Sequence, residues 1–131
     1  MSEPVWIEER DVLALHDRLL ARFGGPGGVR DAALLQSALA RPQQIFTYNE
    51  APGIIEMAAA LITGIVRNHP FVDGNKRTGF VAGILFLELN GYRFTANEAD
   101  AANAIISLAA GVLDEAELTS FLRASVISES V

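Results

Sequence analysis

Residues 75–90 read Asn75-Lys76-Arg77-Thr78-Gly79-Phe80-Val81-Ala82-Gly83-Ile84-Leu85-Phe86-Leu87-Glu88-Leu89-Asn90. From Phe80 onward, apolar side chains occupy almost every position around a helical wheel, with Glu88 the one charge. A helix with almost no polar face is a surrounded helix, so this stretch predicts the centre of a helical domain. Gly91 suits the left-handed C′ position that ends such a helix. Neither this apolar stretch nor the one from Met57 to Val66 approaches the roughly 20 residues a bilayer requires.

Moving outward, a first helix is expected over residues 8–22, with Val12, Leu15, Leu19 and Phe23 at helical spacing and Gly24 ending the pattern. The Gly24-Gly25-Pro26-Gly27-Gly28 cluster is a turn; no Gly-Lys-Ser/Thr follows it, so it does not read as a phosphate loop. Asp31 can cap a second helix over 31–40 that turns Leu34, Leu35 and Leu39 inward, with Pro42 just past its end. Residues 42–52 are then an ordered connection such as a short hairpin, and loop polarity accounts for Gln43, Gln44, Tyr48 and Asn49. A third helix is expected over 54–67, where Ile55, Ala58, Leu61, Ile62 and Ile65 share a side. Thr95 with Glu98, and Asp114 with Glu117, resemble capping boxes for a fifth and a sixth helix, and Tyr92–Phe94, just before the first of them, is short and extended at most. The expected fold is all-α: a compact single-domain bundle of about six helices spanning residues 1–131, wrapped around the fourth.

Composition agrees. The chain has 131 residues, enough for one domain with its own core. Twenty alanines and 15 leucines favour helices over a sandwich of strands. The absence of cysteine removes disulfides, thiolate catalysis and Cys-based zinc sites, and two histidines, His16 and His69, are too few for a multi-histidine metal site. A net charge of −6 argues against a domain that coats nucleic acid, and none is expected as a direct partner. No basic segment leads into an apolar stretch at the N-terminus, so the expectation is a cytoplasmic protein without a membrane partner. His16, with no motif around it, reads as a surface histidine or a hydrogen-bonded, partly buried one.

The chemistry is concentrated in His69-Pro70-Phe71-Val72-Asp73-Gly74-Asn75-Lys76-Arg77, where a loop runs into the fourth helix. The first N–H groups of a helix lack intrahelical partners and carry the positive end of its dipole, which makes an anion site. Gly74 permits close approach of backbone to a phosphate. Lys76 and Arg77 oppose the dipole, at a cost of roughly 0.3–1 kcal/mol each, and an anionic ligand resolves that conflict. Three fixed cations and one carboxylate between Arg67 and Arg77 give a local charge opposite to that of the whole chain. Asp73 fits beside phosphates when Mg²⁺ bridges them, although it could equally cap the helix. His69 could be a plain loop residue, but an imidazole is suited to taking a proton from a hydroxyl near neutral pH. Phe71 reads as packing.

This segment resembles the signature of the Fic/Doc family, in particular its Doc (death-on-curing) branch. Gly28-Val29-Arg30-Asp31, Ser37-Ala38-Leu39-Ala40-Arg41-Pro42-Gln43 and Leu89-Asn90-Gly91-Tyr92 resemble further landmarks of the family. The resemblance implies a compact helical fold and a nucleotide-dependent toxin encoded beside an antitoxin. It implies His69 as the base for a target hydroxyl, Phe71 as the anchor of the loop, Asp73 as the Mg²⁺ ligand, and Gly74, Asn75, Lys76 and Arg77 as the grip on the phosphates of ATP. Arg67, just outside the motif, takes a supporting place.

Family members that transfer AMP have a small residue where this chain has Lys76 and a second arginine where it has Phe80. In the Doc branch the lysine goes with a reversed nucleotide and transfer of the γ-phosphoryl group to a translation factor, elongation factor Tu. The resemblance therefore favours a protein kinase whose inhibitor is a Phd-like antitoxin helix lying in a groove. An AMP or other nucleotidyl transferase, and a degenerate member that serves as an antitoxin-binding co-repressor, are the alternatives. Ser125-x-x-x-Glu129-Ser130 nearly matches a self-inhibitory helix of some relatives, but its last residue differs and it lacks the arginine partner, so it reads as coincidence.

Overall fold

The computed structural model describes residues 2–129, leaving Met1, Ser130 and Val131 outside the description. Six helices and a two-stranded ribbon follow in the order α1 (Glu9–Phe23), α2 (Ala32–Tyr48), α3 (Ile54–Asn68), α4 (Asn75–Leu89), β1 (Tyr92–Phe94), α5 (Glu98–Ala109), α6 (Glu115–Ala124) and β2 (Val126–Ser128). The bundle is all-α in its architecture, as its periodicity predicts.

The central helix is α3, and this corrects the expectation that α4 holds that place. Every residue of α3 from Met57 to Val66 is buried. Helices α2, α4, α5 and α6 all pack against it. Small side chains allow the crowding: a Cβ at Gly64 would stand 2.9 Å from that of Ala38 on α2. A Cβ at Gly79 of α4 would stand 3.0 Å from Val66 Cγ2, and one at Gly83 would collide with Ile62. The backbones of α3 and α4 therefore approach across glycines, and little side-chain movement is available to either.

Pro42 does not end the second helix. It lies inside α2, buried, and the helix runs on to Tyr48. Proline removes one intrahelical donor and normally breaks a helix. Here Pro42, Ile45 and Phe46 continue the apolar stripe at intervals of three and four, and both Ile45 and Phe46 pack on the core. Phe46 meets Trp6 edge-on, and Trp6 stacks on Phe86 of α4. Burial outweighs the lost hydrogen bond, so residues 42–48 are helix and there is no hairpin.

The capping box of α6 forms as expected between Asp114 and Glu117. For α5 the cap is Asn97, whose side chain accepts from Asp100 N–H, instead of Thr95. The Thr95 hydroxyl donates to Ser125 O at 3.0 Å, because the 92–94 segment is a true strand. β1 pairs antiparallel with β2, Arg93 facing Ile127. The 126–128 segment is thus strand, and Glu129 forms an ion pair with Arg93 at 3.1 Å; Ser130, the residue that departs from the self-inhibitory pattern, lies outside the described residues. Among the described residues, no helix is long and apolar enough to cross a membrane.

Candidate active site

α3 ends in a residue with unusual backbone geometry. His69 has φ 56° and ψ 53°, the one non-glycine residue with positive φ among the described residues. A side chain disfavours this region by roughly 1–3 kcal/mol, so the surroundings must hold it there. Arg30 does so: Nε donates to His69 O at 2.7 Å and Nη2 to Asn68 O at 2.8 Å. The amides of Arg30 and Asp31 both donate to Pro70 O, and Val72 N–H donates to Gly28 O. Residues 28–31 thus splint the loop from outside, with Val29 bridged to Phe71.

From inside, the loop hangs on Phe71, which is fully buried. Asn75 accepts from Phe71 N–H at 2.9 Å through Oδ1 and donates to Phe71 O at 3.0 Å through Nδ2. Both ends of that buried amide are thereby committed to the loop, so what Asn75 retains for an anion is its backbone N–H in the first turn of α4. Beneath the loop lies His16, 2% exposed, its ring stacked on Phe71 with centroids 3.8 Å apart. Its Nε2 donates to Asp73 O at 2.8 Å. His16 is therefore neither a surface nor a partly buried histidine, and sequence reasoning missed its tie to the motif. The available signal was its spacing: it follows Val12 by four residues and so shares the buried face of α1.

Gly74, at φ 81°, is the N-cap of α4, and no side chain caps the helix. Asp73 is thus not a cap, and its carboxylate lies beside Gly25, where any Cβ would collide with Oδ2. Lys76 and Arg77 are exposed in the first turn, and Lys76 makes no ion pair among the described residues. The Arg77 guanidinium sits 3.8 Å from the centroid of the half-exposed Phe23 ring, a cation–π contact that holds it over α1.

One cleft of about 710 Å³ collects His69, Asp73, Gly74, Asn75, Lys76 and Arg77 between walls from α1 and α5. That volume lies within the usual range for small-molecule sites. Arg67 is not among these residues; its Nη2 donates to Leu113 O at 3.0 Å, which ties α3 to the turn before α6. Along α4 the cleft runs into an apolar groove of about 340 Å³ that includes Leu15, Ile84, Leu85 and Phe94. Phe80 and Val81 line both cavities.

A model of the Fic/DOC family matches residues 6–87 of this sequence. The chain belongs to the Fic/Doc family. The match takes in α1, the splint at 28–31 and the whole 69–77 segment. Among the family's curated members, the chain is 40% identical over 93 residues to "Toxin Doc" of Mycolicibacterium smegmatis, covering 70% of this chain and 69% of that protein. It is 34% identical over 85 residues to "Protein kinase doc" of Escherichia phage P1, covering 65% of this chain and 68% of the other.

Proposed function

We propose that the protein is a Doc-like toxin of a toxin–antitoxin module that transfers the γ-phosphoryl group of ATP to a hydroxyl of a translation factor, elongation factor Tu being the expected target. The observation that carries this reading is the convergence of His69, Asp73, Gly74, Lys76 and Arg77 on one cleft whose side is formed by Phe80. Similarity to proteins described as a toxin and as a protein kinase supports it.

In this reading the phosphates lie against the free amides at the start of α4, and Lys76 and Arg77 supply charge to them. His69, held by Arg30 at the mouth of the cleft, takes the proton of the target hydroxyl. The hydroxyl oxygen forms its bond to the γ-phosphorus, the bond from that phosphorus to the β–γ bridging oxygen breaks, and ADP departs with the electron pair. Asp73 suits a Mg²⁺ ligand: it is exposed, caps nothing and lines the cleft, and its carboxylate rests against Gly25, where a side chain would displace it. A bound Mg²⁺ would neutralise phosphate charge there, its usual role with one or two carboxylates.

The apolar groove beside the cleft supports the expected partner, an amphipathic antitoxin helix laid along α4. Expression alone should arrest bacterial growth, and the cognate antitoxin should restore it. Incubating the protein with a bacterial lysate and either γ-labelled or α-labelled ATP tests the reaction. Label passing to protein only from the γ position supports the kinase. Label from the α position points to a nucleotidyl transferase, and transfer from neither to a catalytically degenerate member.

A further inference from the structure

The reaction assigned above makes no use of His16, yet this buried ring touches the motif loop at three successive places. It stacks on Phe71 with the two rings 12° from parallel, it binds Asp73 O, and its Cδ2 and Nε2 lie 3.6 Å from where a Cβ at Gly74 would stand. We infer that His16 is a positioning residue: it fixes the Asp73–Gly74 peptide and so aims the Asp73 carboxylate and the Gly74 N–H at the cleft. The consequence for nucleotide binding rests on the reading proposed above, whereas the fixing of the loop does not.

A carbonyl oxygen only accepts, so Nε2 must carry the proton, which sets the tautomer of the neutral ring. In a trans peptide the C=O and the following N–H point in opposite directions, and the described chain contains no cis peptide. A carbonyl drawn inward to a 2%-exposed ring therefore turns the Gly74 N–H outward. Gly74 carries the chain from that peptide into α4 at φ 81°, a conformation that side chains disfavour, and packs at ordinary contact distance from the His16 ring. Phe71, on which the ring rests, is itself gripped by Asn75 at both backbone atoms, so His16 joins α1 to a loop already closed at its other end. A leucine or phenylalanine in place of His16 fills the same space but leaves Asp73 O without its donor. Core filling alone therefore does not account for the imidazole.

The test uses the full chain with His16→Phe, which keeps an aromatic stack and loses the donor, and His16→Gln, which keeps an N–H donor and loses the ring. In the ligand-free protein, His16→Phe should raise amide hydrogen exchange about tenfold at Val72 and Thr78, whose N–H groups donate to Gly28 O and Gly74 O on either side of the Asp73–Gly74 peptide, while exchange in α5 and α6 stays at wild-type rates. His16→Gln should return the Val72 and Thr78 amides toward the wild-type rate. Binding of ATP should weaken by a similar factor in His16→Phe when Mg²⁺ is present and change less without it. Unchanged exchange at Val72 and Thr78, or a rise shared equally with α5 and α6, would overturn the assignment. Should both variants fail to fold, nitrogen-15 spectra of the wild-type ring still decide: a single Nε2–H tautomer with a long-lived proton is expected, and an averaging pair of tautomers contradicts it. A wild-type protein that binds no ATP would count against the nucleotide reading, while the exchange rates would still judge His16.

Discussion

The two faces of α4 differ in side-chain size and have opposite fates. Toward α3, Thr78, Gly79, Ala82, Gly83 and Phe86 are buried in a contact so close that two glycines are required. Away from α3, Phe80, Val81, Ile84 and Leu85 are larger and more apolar, yet all four are left half-covered along the cleft and groove. Apolar content alone therefore does not locate the centre of this fold. Small residues mark where backbones meet, and large apolar residues without a partner mark a surface kept for something else.

The largest effect should come from the tight face. Gly83→Val places branched carbons against Ile62, and overpacking of this kind should cost about 2–3 kcal/mol and lower the melting temperature by roughly 10 °C. An unchanged melting temperature would mean that α3 and α4 are not in close contact. The splint comes next. Arg30→Ala removes both donors to the end of α3, which should cost about 1 kcal/mol of stability and slow any transfer by roughly tenfold or more through a misplaced His69. Arg30→Lys should restore little, since an ammonium cannot reproduce the two-pronged contact. The open face should give the smallest change in the isolated protein. Ile84→Ser should cost about 1 kcal/mol or less, because the side chain is already partly in water, but should weaken capture of the antitoxin helix in a pull-down. A strong loss of stability in Ile84→Ser would show that the groove is core.

Much of this was legible in the sequence because it depends on local chemistry. The 3.6-residue period marked the first three helices, all-round apolar content marked the fourth, and the Asp114/Glu117 pair marked the start of α6. The 69–77 segment announced the cleft because its cations stand at the wrong end of a helix dipole. Local signals misled where tertiary contact outweighed them. Pro42 reads as a stop but is retained in α2 by the burial of itself, Ile45 and Phe46. Thr95 reads as a cap, but its hydroxyl is taken by Ser125 of the returning chain. Arg30 and His16 hold the loop through contacts 39 and 57 residues away in sequence, and no periodicity encodes a distance of that kind. The same holds for Arg67, two residues before the motif and yet bound to Leu113.

In the proposed reaction the cleft transfers a phosphoryl group, and Lys76 decides which group moves. The most direct measurement is the intact mass of a purified target protein after incubation with ATP and this chain. Wild-type protein should add about 80 Da, the mass of one phosphoryl group. His69→Ala should reduce that product by roughly 10²–10⁴-fold, and Lys76→Gly should abolish it. A wild-type adduct of about 329 Da, the mass of AMP, would contradict the claim.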